Sequence, residues 1–283
     1  MATPHRIEPW KVLARAVPAV ILALLALLPL AGERFITYLA IRVMLLGIFA
    51  VGYDLLLGRT GLLSFGHAGF YAAGAYALGF FSLRVSHHPL LGVLVAVAAA
   101  ALLGLAVGAL CVRSSEVYFS MLTLAFGMMI YSIAWKWRDF TGGDDGLVGI
   151  PRAPLALPGV FSIDLSAMDR YYYVVLVLSL VATWAMWRLV RSPLGLTLTA
   201  IRDSEGRAEF AGVPVRKYRI VAFTVAGLYA GLAGSLLPGL ENTVTPPIAH
   251  WSTSAEPVLA TLLGGEVWVD SEAGKGSTFW RLR

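Results

Sequence analysis

Residues 192–219 read SPLGLTLTAIRDSEGRAEFAGVPVRKYR, a charged, helix-compatible island between two long apolar runs. Between Ala200 and Gly212, Arg202, Asp203, Glu205, Arg207 and Glu209 set both charge signs at helical spacing, a pattern suited to ion pairing with a partner surface or, more blandly, to a solvated helix. Gly212 can take the left-handed conformation that stops such a helix, whereas Gly206 lowers helix propensity in its middle. Helices embedded in lipid can be moved only through what they touch outside it, so the island is expected to be a handle for a motor partner.

The remaining candidates offer little catalysis. Ser64, Gly66 and His67 lie in a glycine-dense stretch, residues 61–79, where a histidine is more often a hydrogen-bonded packing group than a base. With Ser120 and Thr123 they are expected to be polar groups near a path through the membrane. Thr141, Gly142, Gly143, Asp144, Asp145 and Gly146 open the run TGGDDGLVGIP, too rich in glycine for a regular helix and read as a shaped turn. It lacks the spaced oxygen ligands and terminal Glu of a calcium loop, so no metal and no cofactor is expected. Gly274-Lys-Gly-Ser277 misses the upstream glycine of a phosphate-binding loop and the Ser or Thr directly after its lysine. Asp54 near a helix end beside Arg59 is a poor proton relay. Cys111 is the single cysteine, which excludes an intrachain disulfide. The chain is therefore read as a non-enzyme whose energy comes from a partner.

The elements that must hold these groups are spelled out by composition. Hydrophobic residues are 58% of the 283 and charged ones 14%, and the mean hydropathy is +0.74, which points to an all-α, polytopic transmembrane bundle. Residues 61–83, 89–112, 117–135, 171–187 and 220–240 can cross the ~30 Å hydrocarbon core without a formal charge. Residues 16–31 and 38–57 are read as two further spans, about seven in all, with 61–83 broken or partly re-entrant because of its glycines. A cleaved signal at the start is the weaker reading. With the N-terminus in the cytoplasm, twelve Lys and Arg fall inside and six outside, the bias expected of this orientation. The net charge of +5 is thus a matter of topology, and nucleic acid is not an expected partner. Gly104-x-x-x-Gly108 and Gly227-x-x-x-Gly231 are faces along which helices can approach closely.

Residues 52–76, 118–127, 141–151 and 192–234 together resemble the membrane-spanning permease of branched-chain amino acid ABC importers, over roughly residues 45–265. The resemblance implies a second, homologous permease, two cytoplasmic ATPase subunits, a periplasmic solute-binding protein and a bacterial inner-membrane location. It implies that residues 191–219 carry the ATPase-coupling segment and that 136–170 form the outer loop, with branched-chain amino acids as cargo and urea or short amides as alternatives. Gly206, Arg207 and Met128 depart from the residues expected of the family.

Residues 1–265 are thus assigned to a transmembrane permease domain. Residues 266–283 form a separate tail, beginning EVWVDSEAGKGSTF, which resembles the end of a histidine-kinase ATPase domain without the rest of it. Val267 and Val269 suggest a strand with no sheet to join. A C-terminally truncated permease with a foreign tail is expected. A membrane sensor with a remnant output domain is the competing reading, but there is no room for a phosphoacceptor helix. A proton-coupled carrier ranks last because titratable groups deep in the spans are scarce.

Overall fold

The computed structural model describes residues 22–86, 88–114, 116–152, 154–157, 161–263, 266–272 and 276–282. Its long helices follow the apolar runs, since a backbone in hydrocarbon must satisfy its own polar groups. They are α1 (Arg34–Thr60), α2 (His67–Arg84), α3 (Pro89–Cys111), α4 (Glu116–Lys136) and α5 (Met168–Val190). The shorter α6 (Pro193–Asp203) and α7 (Glu205–Phe210) come next, then α8 (Val215–Glu241) and α9 (Trp251–Leu263). Among the described residues α1, α3, α4, α5 and α8 are long and apolar enough to cross a bilayer. The expected span at 16–31 lies partly outside the described residues. From Leu28 to Ala31 it is a short 3-10 turn, and Tyr172 on α5 holds the preceding Leu25 carbonyl at 2.7 Å.

The core is built around α8, which packs on α1, α2 and α3. The two small-residue faces seen in the sequence meet each other. A Cβ on Gly104 would come within 3.6 Å of the Gly227 Cα, and one on Gly231 would overlap the Ala100 side chain. Apolar side chains on α3, α4 and α5 are left exposed, as surfaces toward lipid require, and Trp184 and Trp187 stand near one end of α5.

Residues 61–83 do not form one span. Gly61, at φ 75°, ends α1, and α2 starts only at His67, so the broken reading holds. The irregular backbone between them is satisfied from within the protein. The Tyr53 hydroxyl accepts from the Ser64 amide at 2.9 Å and donates to the Ser64 carbonyl at 2.8 Å, while Ser254 on α9 accepts from the Ala68 amide at 2.8 Å.

Four short strands stiffen one end of the bundle. β1 (Leu147–Val148) pairs antiparallel with β4 (Thr243–Val244), and β2 (Leu155–Leu157) with β3 (Phe161–Ile163). The tail corrects one expectation. β5 (Glu266–Glu272) does have a partner, β6 (Gly276–Leu282), and the two form an antiparallel hairpin. Alternation at Val267 and Val269 marks one strand but does not identify the strand it pairs with. The helix α9 was missed as well: Pro257 and the polar residues at 252–256 weaken its apolar pattern, and its position depends on contacts with α1 and α2.

Candidate functional site

The charged island folds as two short helices with a small core of their own. Ile201 on α6, Ala208 on α7 and Val215 at the start of α8 pack together, and Leu198 on α6 is fully buried in the main core. Ser204 separates the helices in an extended conformation, and its hydroxyl accepts from the Arg207 amide at 3.4 Å to cap α7. Gly212, at φ 82°, ends the unit in the left-handed conformation anticipated for it.

Two arginines tie this unit to the spans. Arg202 donates to the Gly58 carbonyl at the end of α1. Arg219, 8% exposed, grips Glu205 in a bidentate pair, Nη1 to Oε1 at 2.7 Å and Nη2 to Oε2 at 2.9 Å. A forked pair of this geometry fixes orientation as well as distance. Glu205 is therefore occupied within the chain, although its side chain remains 43% exposed. Ala200, Arg202, Asp203, Arg207 and Glu209 line the exposed side, with Asp203 engaged by a further contact. Beside them stands Phe210, 97% exposed. The sequence did carry a signal for Phe210, a large apolar residue inside a charged helix, but only the fold reveals that nothing covers it.

Because Arg219 is buried and Glu205 about half exposed, we expect Glu205→Arg to cost about 1–3 kcal/mol, between the values for exposed and buried pairs. The double variant Glu205→Arg, Arg219→Glu should recover most of that loss in a thermal melt. Failure of the exchange to restore stability would show that the pair does not anchor the loop.

The second group is partly assembled. His67 Nδ1 lies 2.9 Å from Ser64 Oγ, and its ring is edge-on to Tyr53, Phe70 and Phe223. Gly66 abuts Thr123 so closely that a Cβ would strike the Thr123 carbonyl. Ser64, His67 and Thr123 are all fully buried, and His67 Nε2 has no hydrogen-bond partner among the described residues. Ser120 stands apart, with its hydroxyl turned back to the Val117 carbonyl at 2.7 Å. The arrangement is a sealed polar knot at the break between α1 and α2, not an open wall.

At the opposite end, residues 141–149 are shaped by glycine. Gly142, Gly143, Gly146 and Gly149 all have positive φ, and a Cβ on Gly146 would overlap the Val244 carbonyl. Thr141 Oγ1 lies 2.7 Å from both the Ala134 and Trp137 carbonyls, which share its one hydroxyl proton, and this locks the turn to the end of α4. Asp144 and Asp145 are exposed on a short 3-10 turn. Arg152 donates to the Gly239 and Leu240 carbonyls at the C-terminal end of α8, where a cation suits the helix dipole. Ahead of α5, hydrogen bonds from the Ser166 hydroxyl and amide hold the Asp164 carboxyl below its ordinary range, with Arg170 nearby.

Comparison with known proteins agrees with this architecture. The family described as branched-chain amino acid transport system, permease component, matches residues 35–277, past the Gly265 boundary expected from the residues alone. The high-affinity branched-chain amino acid transport system permease protein LivM of Escherichia coli K12 is 29% identical over 264 residues, 84% of this chain and 60% of the relative. Its Salmonella typhimurium counterpart is 30% identical over 254 residues, 80% and 58% of the two chains. The ribose import permease protein RbsC of E. coli K12 is 27% identical over 231 residues, 77% and 65%. The chain spans about three-fifths of the length of the first two. No solved structure matches.

Proposed function

Since the chain belongs to the family of branched-chain amino acid transport system permease components, we propose that it is a membrane-spanning subunit of an ABC importer. Its cargo in this reading is branched-chain amino acids, and its energy comes from cytoplasmic ATPases. The observation that carries the proposal is the rigid handle of α6 and α7. Exposed charge and an uncovered aromatic ring project from one end of a multi-span bundle, while Arg202 and Arg219 pin the unit to α1 and α8. A force applied to the handle would reach the central helix α8 directly.

That end is assigned to the cytoplasm of the inner membrane, by the excess of Lys and Arg there. The loop at residues 136–170 then faces the periplasm and a solute-binding protein, and a second, homologous permease completes the path. Ser64, Gly66, His67 and Thr123 are assigned to the closed part of that path, opened when the segment between α1 and α2 moves. Ser120 is the weakest member of the set.

The test is transport. Proteoliposomes holding the chain with a homologous permease, the ATPases and the binding protein are expected to accumulate radiolabelled leucine only with internal ATP. Accumulation of ribose or urea in place of leucine would reject the cargo assignment, and leucine uptake without ATP would reject the ABC assignment.

A further inference from the structure

A second polar site lies away from the handle and from the buried knot. A cavity of about 400 Å³ opens between α1, α2, the end of α8 and α9, and its lining combines Arg42, Tyr71 and Glu256 with the apolar Leu46, Phe49 and Leu237. Its volume is within the ~300–1,000 Å³ range of small-molecule sites, and its mixture of apolar wall and a few charged groups is their usual lining.

The charges here need an explanation. Arg42 lies two turns inside an apolar helix, about 12 Å from its start at 1.5 Å per residue. Its side chain is 50% exposed, although it pairs with Glu241 at 3.3 Å. Glu256 is exposed at the same cavity and makes no ion pair among the described residues. A charge facing lipid at such a depth costs ~2.5–3.5 kcal/mol or more, and charged side chains within spans normally face a partner or a watery cavity. This cleft must therefore be wet or covered when the protein works.

We propose that the cleft binds a zwitterionic α-amino acid with an aliphatic side chain. Arg42 has five guanidinium N–H donors and uses only part of them on Glu241, which leaves donors for a carboxylate. Glu256 supplies the anion for an ammonium group. Tyr71 lines the same cavity, interacts electrostatically with both Arg42 and Glu256, and adds a hydroxyl to the lining. Leu46, Phe49 and Leu237 form the wall against which a branched side chain is buried. Neither a sugar nor a simple fatty acid would use both charges. The inference rests on the importer reading for its biological setting: Arg42 pairs with Glu241, the last residue of α8 before β4, so the cleft lies at the end assigned above to the periplasm, where an arriving solute meets it first.

The experiment is binding of L-[³H]leucine to the purified full chain in lipid nanodiscs. We expect saturable binding, weakened at least tenfold in Glu256→Gln and in Arg42→Gln. Isoamylamine, which lacks the carboxylate, and 4-methylpentanoate, which lacks the ammonium, should compete at least tenfold less well than leucine. Glu256→Gln decides the matter if Arg42→Gln melts early, because Glu256 holds no described ion pair. Absence of saturable binding by the parent, equal binding by folded variants, or equal competition by isoamylamine would each overturn the proposal. ATP-driven leucine uptake that survives in both variants would sink the cleft but leave the importer reading standing. Leucine binding without any uptake by the complete assembly would do the reverse.

Discussion

Replacing Phe210 with Asp is expected to weaken capture of the cognate ATPase by at least tenfold, with no change in the thermal stability of the chain. Phe210 is 97% exposed, so its ring contributes almost nothing to folding. A rigid aromatic at the tip of an ordered unit is the type of side chain that anchors interfaces, where removal costs ~2 kcal/mol or more. Since ~1.4 kcal/mol is a factor of ten in affinity, a loss of about 30-fold follows from ~2 kcal/mol, comfortably above the tenfold threshold. Asp rather than Ala is chosen so that a pocket able to accept a smaller apolar side chain is also closed. The measurement is the dissociation constant of the detergent-purified chain for the ATPase, alongside Glu209→Arg as a second exposed-side variant. Glu205 is a poor probe of the same surface, because reversing it strands the buried Arg219 and loosens the handle itself. Equal ATPase affinity for the parent and Phe210→Asp would remove the aromatic anchor from the coupling surface.

Gly74→Val is expected to prevent the bundle from packing. A Cβ at Gly74 would overlap the Gly231 carbonyl and lie 2.7 Å from the Gly231 Cα. These are backbone atoms of the central helix, which cannot rotate away as a side-chain tip would. The cost should therefore reach or exceed the ~3 kcal/mol upper end of overpacking. Loss of a monodisperse peak in size-exclusion chromatography, or a large fall in melting temperature, is the expected readout. Gly47→Ala is the matched control. Among the described residues nothing lies within 4 Å of its Cβ position, and exchanging a helical glycine for alanine favours the helix by up to ~1 kcal/mol. Equal behaviour of the two variants would mean that α2 and α8 do not meet as closely as described.

The two glycine substitutions mark where reading the residues ends. That residues 104–108 and 227–231 offer small faces is visible in their spacing, because four-residue steps return to one side of a helix. That these faces meet each other, and that Gly74 abuts Gly231, is a long-range matter that spacing cannot express. The same division runs through the handle. Its charge, its stop at Gly212 and its place between apolar runs follow from local residue types. The capture of Glu205 by Arg219, fourteen residues later, depends on how α8 leaves the loop.

Sequence by itself determined the membrane class, the positions of the long helices, the break near Gly61 and the glycine-shaped turn at residues 141–149. Each rests on hydropathy summed over twenty residues or on backbone freedom at single glycines, both local properties. Tertiary structure alone decided the rest. It sealed Ser64, His67 and Thr123 inside the bundle and turned Ser120 away from them. It left Phe210 bare and brought Arg42, Tyr71 and Glu256, from three separate helices, to one cleft. Those outcomes depend on which helix faces meet, and in lipid that choice is made by close packing and interhelical hydrogen bonds, not by a hydrophobic pattern along the chain.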